Sequence, residues 1–540
     1  MMLRPHPCLP HPWAEAVDPD ADTLPDWTRD PAPPVIWSVA GTDSGGAAGL
    51  SADTRAAAAL GVHVCPVVAA VTAQNSLGLA ALYPLGEHLL AAQMRALADD
   101  LPPRVVKTGL LASAEAVRSI ARRIDALRVD GPVRLVVDPV LGATAGGVDF
   151  DSEALRRAYV EELLPRCDLV TPNICEAERL CGEGSHGLPA PALAERLLAA
   201  GARAVCLTGG DERPAGEGAD LALDWLDAHA EAAVPPVQGW LALPRLPPPL
   251  HHHGSGCTFA SAAAAALARG FALPDALVLA KMLTWSALRD GHAAGRGAGP
   301  LRPSAAFIAE PHALPVLGWA HEAAPDAATL TRWVSVLTQP SASRFEPGLY
   351  GLSADSAELA AMARGGRFAH LQLRVKRDAG RAVDALIRET LAGCKGPTRL
   401  WINDHAQTAL ALGARALHLG QEDWAGLEST LRARVQQGVS AGTLGLGLSS
   451  HSLWELCRAR GLAPDYIACG PIWPTTTKQM PWQPQGLAQL RWWCDMAGAP
   501  VVAIGGITDA ARLAGVHRAG AAAPALVRGL QALSSRDFFA

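Results

Sequence analysis

The sequence predicts two α/β domains in tandem: an α/β/α layered domain over residues 33–302 and a (β/α)8 TIM barrel over residues 345–540. Three observations predict this. Short apolar runs alternate with helical stretches through both halves, the pattern of strands in largely parallel sheets. The second half holds eight such runs at even spacing. Glycine-rich or polar clusters close one run after another, and in such sheets ligands gather at the strands' carboxyl ends.

Composition narrows the function classes. A chain of 540 residues that is 49% hydrophobic and 18% charged is globular and long enough for several cores. Its net charge of −6 argues against a general nucleic-acid surface. Eleven cysteines without a C-x-x-C pair fit reduced thiols better than a disulfide framework or a zinc site. Residues 1–32 lack a basic start followed by an apolar core and read as a loose tail rather than a secretory signal. The longest weakly polar run, 258–267, is too short and too alanine-rich for a membrane span. These features lead us to expect a cytoplasmic protein that acts on small molecules, without nucleic-acid or membrane partners. The oligomeric state stays open, a homodimer included.

In the first half, the run at 35–40 ends in Gly41-Thr42-Asp43-Ser44-Gly45-Gly46 and is followed by a helical stretch at 52–60. Strand, glycine-rich turn and helix let backbone N–H groups approach a small polar ligand, although plain βα punctuation looks the same. Further runs at 62–71, 105–106, 135–140, 169–170 and 204–207 end in Gln74-Asn75, Lys107-Thr108-Gly109, Asp138-Pro139, Pro172-Asn173 with Glu176, and Thr208-Gly209-Gly210. The most informative piece is His253-Gly254-Ser255-Gly256-Cys257-Thr258, directly before a helix at 259–269. Gly254, Ser255 and Gly256 lack bulk, so successive N–H groups can point at one anion, as a transferring phosphoryl group requires. Cys257, at that terminus, reads as a thiol of lowered pKa able to take a proton from an attacking hydroxyl, or else as a buried cysteine at a helix start. His251–His253 cannot easily converge on one metal ion and reads as a loop.

VAGTDSGG…SAD, VTAQNS, VKTGLL, VVDPV, TPNICEAE and GSGCT, in this order, resemble the hydroxymethylpyrimidine/phosphomethylpyrimidine kinases of thiamine biosynthesis. The resemblance implies a ribokinase-like fold and two successive phosphorylations of 4-amino-5-hydroxymethyl-2-methylpyrimidine by ATP. It implies that Gly41, Asp53 and Gln74 hold the pyrimidine, that Glu176 helps order Mg2+ and the ATP phosphates, and that Cys257 is the catalytic base. The family usually has a lysine before the paired glycines, where this chain has Thr208, so the charge at this phosphate-facing position would come from Lys107 or Lys281. Rival readings are a pyridoxal-type kinase and a non-catalytic pyrimidine-binding module.

Residues 303–344, with Pro303, Pro311, Pro315, Pro325 and Pro340 among short apolar stretches, read as a connector of short helices. Beyond it, apolar runs at 348–352, 369–375, 399–402, 416–419, 444–448, 466–472, 501–504 and 523–527 are the barrel strands. Their ends supply Gln372, Arg374 and Lys376, then Asn403-Asp404, His418 to Asp423, Ser449, Thr475, Thr477 and Lys478, and Gly505-Gly506. Arg374, Lys376 and Lys478 offer three positive charges, and Asp404 and Asp423 suit a hard Mg2+ that favours phosphate oxygens. Such a site suits a diphosphate and can stabilise charge building on a leaving oxygen. Gly505-Gly506 at a late strand suggests a second, phosphorylated substrate.

QLRVK, IND, HLGQED, LSSHS, GPIWPTTTK and AIGGI resemble thiamine-phosphate synthase. By that resemblance Gln372, Arg374, Lys376, Asn403, Asp404, Asp423, Ser449 and Lys478 would bind the pyrimidine diphosphate and Mg2+, with Arg374 and Lys478 assisting pyrophosphate departure. Thr475, Thr477 and Gly506 would meet a thiazole phosphate. Where the family tends to end its last strand with a serine, this chain has Val527-Arg528.

Overall fold

The computed structural model describes residues 19–21, 23–142, 151–210, 220–229, 237–248, 251–339, 344–375, 383–474 and 484–527. Lys376, Thr475, Thr477, Lys478 and Arg528 lie outside the described residues. The chain divides into two units, one spanning Asp26–Leu337 and the other the chain from Thr338 onward together with a segment that ends at Pro25.

The first unit is built on ten strands: β1 Val35–Gly41, β2 His63–Asn75, β3 Gly78–Pro84, β4 Val105–Thr108, β5 Arg134–Val137, β6 Leu169–Val170, β7 Ala204–Thr208, β8 Leu221–Ala228, β9 Val237–Pro244 and β10 Val316–Leu317. They lie in the order β10-β9-β8-β7-β6-β5-β4-β1-β2-β3. The strands from β2 to β7 pair in parallel, and β3, β8, β9 and β10 join antiparallel at the two edges. The parallel strands carry Val, Leu and Trp on both faces, as burial between helical layers demands. The helix Ala114–Asp130 starts where the Ser113 side chain accepts from the N–H of Ala116 and buries Val117, Ile120 and Ile124. The helix Ser255–Ala268 is alanine-rich because it is buried on nearly every side, packed against the helices Leu273–Arg289 and Gly49–Ala59.

Two expectations change here. Part of the tail is tied down. Trp27 packs edge-on against Phe271 with ring centroids 5.6 Å apart, and Arg269 donates to the Trp27 carbonyl at 3.1 Å and to Asp30 at 2.5 Å. The connector also folds onto the sheet of the first unit. Its strand β10 extends that sheet, and Trp333 of the helix Ala327–Thr338 is buried with Leu221, Leu243 and Val316.

The second unit closes β11 Leu349–Ser353, β12 Phe368–Leu373, β13 Arg399–Asn403, β14 Ala416–Leu419, β15 Gly445–Ser450, β16 Tyr466–Cys469, β17 Val501–Ile504 and β18 Ala523–Leu526 into a parallel barrel. All eight expected runs are strands. The sixth ends at Cys469, short of its apolar run, and the Gly470–Pro471 bond that follows is cis. The barrel is filled by aromatic side chains. Phe345 stacks on His370 at 3.9 Å, and Trp401 meets Tyr466 edge-on at 4.8 Å. His370 Nε2 lies 2.7 Å from the Glu346 carbonyl, while Nδ1 accepts from Trp401 Nε1, so its ring is a neutral structural element. Burial pushes its pKa down to about 4. No helix among the described residues is long and apolar enough to cross a membrane.

Candidate active sites

In the first unit the strand ends open into a cavity of about 810 Å3, the size range of small-ligand sites. Gly41 and Gln74 line one part of it, Glu176 and Thr208 another, and Gly254 to Cys257 also lie on its wall. Gly254 caps the helix Ser255–Ala268 in the left-handed region, φ 90°, and a Cβ there would stand 2.4 Å from the Ala47 carbonyl. Only glycine brings this helix N-terminus so close to the opening loop. The first-turn N–H groups of Gly256 and Cys257 have no intrahelical acceptors, an arrangement that can receive an anion.

The opening loop is held by Asp43, whose carboxylate accepts from the N–H groups of Gly45, Ala47 and Ala48 at 2.8–2.9 Å. Burial would raise its pKa, but His253, 3.4 Å away, and those N–H groups outweigh it and hold the carboxyl at about 2. Gln74 Nε2 sits 2.9 Å from His253 Nε2, which ties the residue expected at the pyrimidine to the residue that precedes Gly254. Glu176 and Asn173 form a capping box: each side chain accepts from the other's N–H, at 3.0 and 2.8 Å.

Asp53, expected at the pyrimidine, lies beneath the cavity and not on its wall. Its Oδ1 accepts from Lys107 Nζ at 2.9 Å and Ser261 Oγ at 2.8 Å, and its Oδ2 from Ser38 Oγ at 2.6 Å. A carboxylate so engaged presents no free edge to a ligand, and Asp43 is the acid of this loop that reaches the wall. Lys107 also lies 3.4 Å from Asp138 Oδ2, an oxygen with no hydrogen-bond partner among the described residues. Burial disfavours the Lys107 ammonium, yet the two carboxylates outweigh it and keep the charge.

Cys257 departs from the expected lowered pKa. Burial pushes its thiol up to about 12, against the opposing pull of Lys107. The helix N-terminus alone would favour a thiolate, but here desolvation wins. Cys257 is therefore a thiol at neutral pH in this environment.

Near Thr208 a lysine stands on another element. Lys281, from the helix Leu273–Arg289, lines the same cavity and donates to Asp224 Oδ2 at 2.7 Å. Asp224 pairs with Thr208 in the β7–β8 register, and its Oδ1 accepts from the N–H of Gly209 at 3.1 Å. Of the two candidate lysines, Lys107 is sealed below the floor and Lys281 stands in the wall.

In the second unit Arg374, Asn403, Asp404 and Asp423 come together at the C-terminal mouth of the barrel. Burial first, then the neighbouring Asp423 carboxylate, pushes Asp404 up to about 7, with Arg374 and Asn403 opposing. Asp404 also holds a left-handed backbone, φ 65°. No group of three or more His, Cys, Asp or Glu side chains gathers as a metal cage among the described residues. Two facing carboxylates fit Mg2+, which keeps several waters and takes phosphate oxygens as further ligands.

Behind this mouth runs a hydrogen-bonded chain through the barrel. Gln372 Nε2 donates to Tyr350 Oη at 3.2 Å, and Tyr350 Oη lies 2.8 Å from Tyr466 Oη. Tyr466 Oη is 2.6 Å from His418 Nδ1, and His418 Nε2 is 2.9 Å from Ser449 Oγ. Burial drives the pKa of His418 down to about 3, so it stays neutral. Gln372 and Ser449, far apart in sequence, are thus the two ends of one network. At the other side of the mouth Gly506, φ 75°, lies against Trp473, where a Cβ would stand 2.6 Å from the Trp473 Cβ.

Comparison with known proteins bears on both halves. Residues 43–302 match the family model for phosphomethylpyrimidine kinase and residues 349–530 that for thiamine monophosphate synthase. A probable chloroplastic thiamine biosynthetic bifunctional enzyme of Oryza sativa subsp. japonica is 32% identical over 482 residues, 88% of this chain and 81% of that protein. The chain belongs to the bifunctional thiamine biosynthetic enzymes. The chloroplastic thiamine biosynthetic bifunctional enzyme of Arabidopsis thaliana is 31% identical over 484 residues, 88% of this chain and 85% of that protein. A hydroxymethylpyrimidine/phosphomethylpyrimidine kinase of Streptomyces coelicolor is 39% identical over 272 residues, 50% of this chain and 94% of that one. In this family the layered unit is the kinase half and the barrel is the synthase half.

Several polar groups that complete the sites were missed by sequence reasoning. Asp43 sits in the quoted TDSGG motif, and only its three N–H partners mark it out. Asp224, Tyr350 and Tyr466 lie inside apolar runs with no local motif, so only strand register reveals them.

Proposed function

We propose that the kinase half phosphorylates 4-amino-5-hydroxymethyl-2-methylpyrimidine and then its monophosphate at the expense of ATP, and that the barrel joins the resulting diphosphate to a thiazole phosphate, giving thiamine phosphate and pyrophosphate. The observation that carries this reading is one cavity among the described residues of the first unit. It unites a polar recognition corner, Gly41 and Gln74, with a glycine-built anion cradle and the buried ammonium of Lys281.

In this reading Gln74 and the Gly41 backbone face the aminopyrimidine, whose donor and acceptor edges an amide satisfies. The N–H groups at Gly254 to Cys257 hold the phosphoryl group in transit. Cys257 lies on the cavity wall beside those N–H groups; once its thiol has released its proton to solvent, the thiolate takes the proton of the attacking alcohol and becomes the thiol again. Thr208 and Lys281 take the nucleotide phosphates, with Glu176 ordering their magnesium. In the barrel Gln372 and Ser449 fix the pyrimidine from the two ends of the tyrosine–histidine chain. Asp404 and Asp423 hold the Mg2+, which when bound neutralises the diphosphate as it departs. Arg374, with Lys376 and Lys478, adds positive charge to the same group. Gly506, with Thr475 and Thr477, receives the thiazole phosphate.

The test is thiamine phosphate formation from the pyrimidine alcohol, thiazole phosphate and Mg-ATP. Wild-type chain is expected to make it. Cys257→Ala is expected to slow it by about a hundredfold, the usual worth of a positioned proton acceptor, and added pyrimidine diphosphate should restore the rate. Failure of wild type to phosphorylate the alcohol overturns the kinase assignment, and an undiminished rate in Cys257→Ala overturns the role given to Cys257.

A further inference from the structure

The stretch that precedes the kinase half is also part of the barrel. Asp20 Oδ1 accepts from the indole Nε1 of Trp473 at 3.0 Å, across 453 positions of sequence. Next to it, the Pro19 carbonyl accepts from the N–H of Leu487 at 2.9 Å, in the first turn of the helix Gly486–Met496. The approach is tight. Gly486 has φ 71°, and a Cβ there would stand 3.2 Å from Pro19 Cα.

Trp473 is the hub on the other side of this contact. It is 1% exposed, so its indole N–H needs a protein acceptor. Its own N–H donates to the Gly505 carbonyl at 3.2 Å, and its Cβ and carbonyl form the surface on which Gly506 rests. The Arg512 guanidinium lies over the Trp473 ring, 5.2 Å from its centroid, and donates to the Gly506 carbonyl at 2.7 Å. Asp20, Trp473, Arg512 and the Gly505–Gly506 turn therefore form one continuous packed and hydrogen-bonded stack.

We propose that Pro19 and Asp20 are positioning residues for the synthase half, a strap that sets Trp473 and through it the Gly505–Gly506 turn. This rests on the reading that the turn receives the thiazole phosphate. The strap joins Trp473 to Leu487, two points that flank the conspicuous Thr-Lys stretch of the sequence, and does so with residues from the opposite end of the chain. Fixing a buried side chain and a helix start removes freedom that the turn would otherwise have to lose on binding its ligand.

The test uses the full chain with Asp20→Ala, Trp473→Phe and the double variant. Coupling is assayed with ready-made pyrimidine diphosphate, so the kinase half serves as an internal control of folding. In each single variant KM for thiazole phosphate should rise about tenfold, because a hydrogen bond to a charged group is worth roughly that factor. kcat should stay within about twofold, since a phosphate remote from the reacting nitrogen contributes binding common to ground and transition states. The double variant should be no worse than the worse single one, as expected for two partners of one bond. Amide hydrogen exchange at Trp473 and Leu487 should quicken in Asp20→Ala whatever the activity. Unchanged exchange there overturns the strap, and quickened exchange with an unmoved KM overturns its link to the turn. A wild-type chain that couples no thiazole phosphate overturns the reading of the turn, a result that the exchange data keep separate from the strap itself.

Discussion

The two sites handle charge in opposite ways. In the kinase half each buried lysine already has its carboxylate: Lys107 has Asp53 beneath the floor and Asp138 at the cavity wall, and Lys281 has Asp224 in the wall. In the barrel two carboxylates, Asp404 and Asp423, face each other, and burial with mutual repulsion drives Asp404 toward neutrality. The first site is pre-paired and presents N–H groups to its ligand. The second brings two carboxylates together, a pair that a divalent cation would hold apart and balance. In the proposed reading the same class of ligand, a phosphorylated pyrimidine, thus meets backbone N–H groups in one half and a facing carboxylate pair in the other. This matches the chemistry proposed for each, because phosphoryl transfer needs a held group whereas coupling needs a departing diphosphate neutralised.

Breaking the pre-paired cluster should have the largest effect. Lys107→Met leaves Asp53 and Asp138 buried without their cation, and loss of one partner of such a cluster costs about 3–5 kcal/mol. The first unit is expected to unfold at markedly lower denaturant, while the barrel keeps its coupling activity. A melt of the first unit like that of wild type would show that the cluster carries no stability.

Removing half of the open pair is expected to act on rate. Asp423→Ala should slow coupling by at least about a hundredfold, the scale of a lost electrostatic contact to a leaving group. Kinase turnover in the same preparation should be unchanged. If coupling in this variant stays near wild type at saturating Mg2+, the facing carboxylates are not the metal site.

The wall lysine gives a smaller effect and sharpens the contrast with the floor. Lys281→Met should raise KM for ATP about tenfold, one charge-assisted contact's worth, and leave KM for the pyrimidine alcohol alone. Equal shifts in both constants would mean that Lys281 supports the cavity and does not meet the nucleotide.

The smallest predicted effect is on stability against pH. His370 has a folded pKa near 4 against about 6.5 in an unfolded chain. Between those values the unfolded chain binds a proton that the folded barrel refuses, so stability is full above about pH 6.5 and falls as pH falls toward 4. The neutral His418 adds to the same slope. The barrel's melting temperature, followed by tryptophan fluorescence, should drop between pH 7.5 and 5. His370→Gln should flatten that dependence, and an equally steep drop in the variant would assign it elsewhere.

The sequence made the barrel legible because every one of its strands is an apolar run closed by polar residues, and the parallel strands of the first unit read equally well. The antiparallel edge did not. β8 reads LALDWLDA, with two aspartates inside a strand, and β10 spans only two residues in a stretch full of prolines. At the kinase site the local motif showed a helix N-terminus at Cys257, which favours a thiolate. The burial that reverses this, helped by the Asp53 and Asp138 carboxylates and opposed by Lys107, depends on elements far away in sequence. Asp43 and Asp53 sit ten positions apart in one loop–helix segment. Only the turn of the helix Gly49–Ala59 toward Ser38 and Lys107 decides which of them faces the cavity. The chain from Gln372 to Ser449 crosses several strands and exists only through their register.

The assignment of residues on both sides of Asp26–Leu337 to the barrel's unit makes the kinase half an excursion from the synthase half, not a module appended to it. A gene cut once after Leu337 would therefore not release two intact enzymes. The severed barrel would lack the proline carbonyl and the aspartate that Leu487 and Trp473 engage, and would need that short piece returned in trans as a peptide.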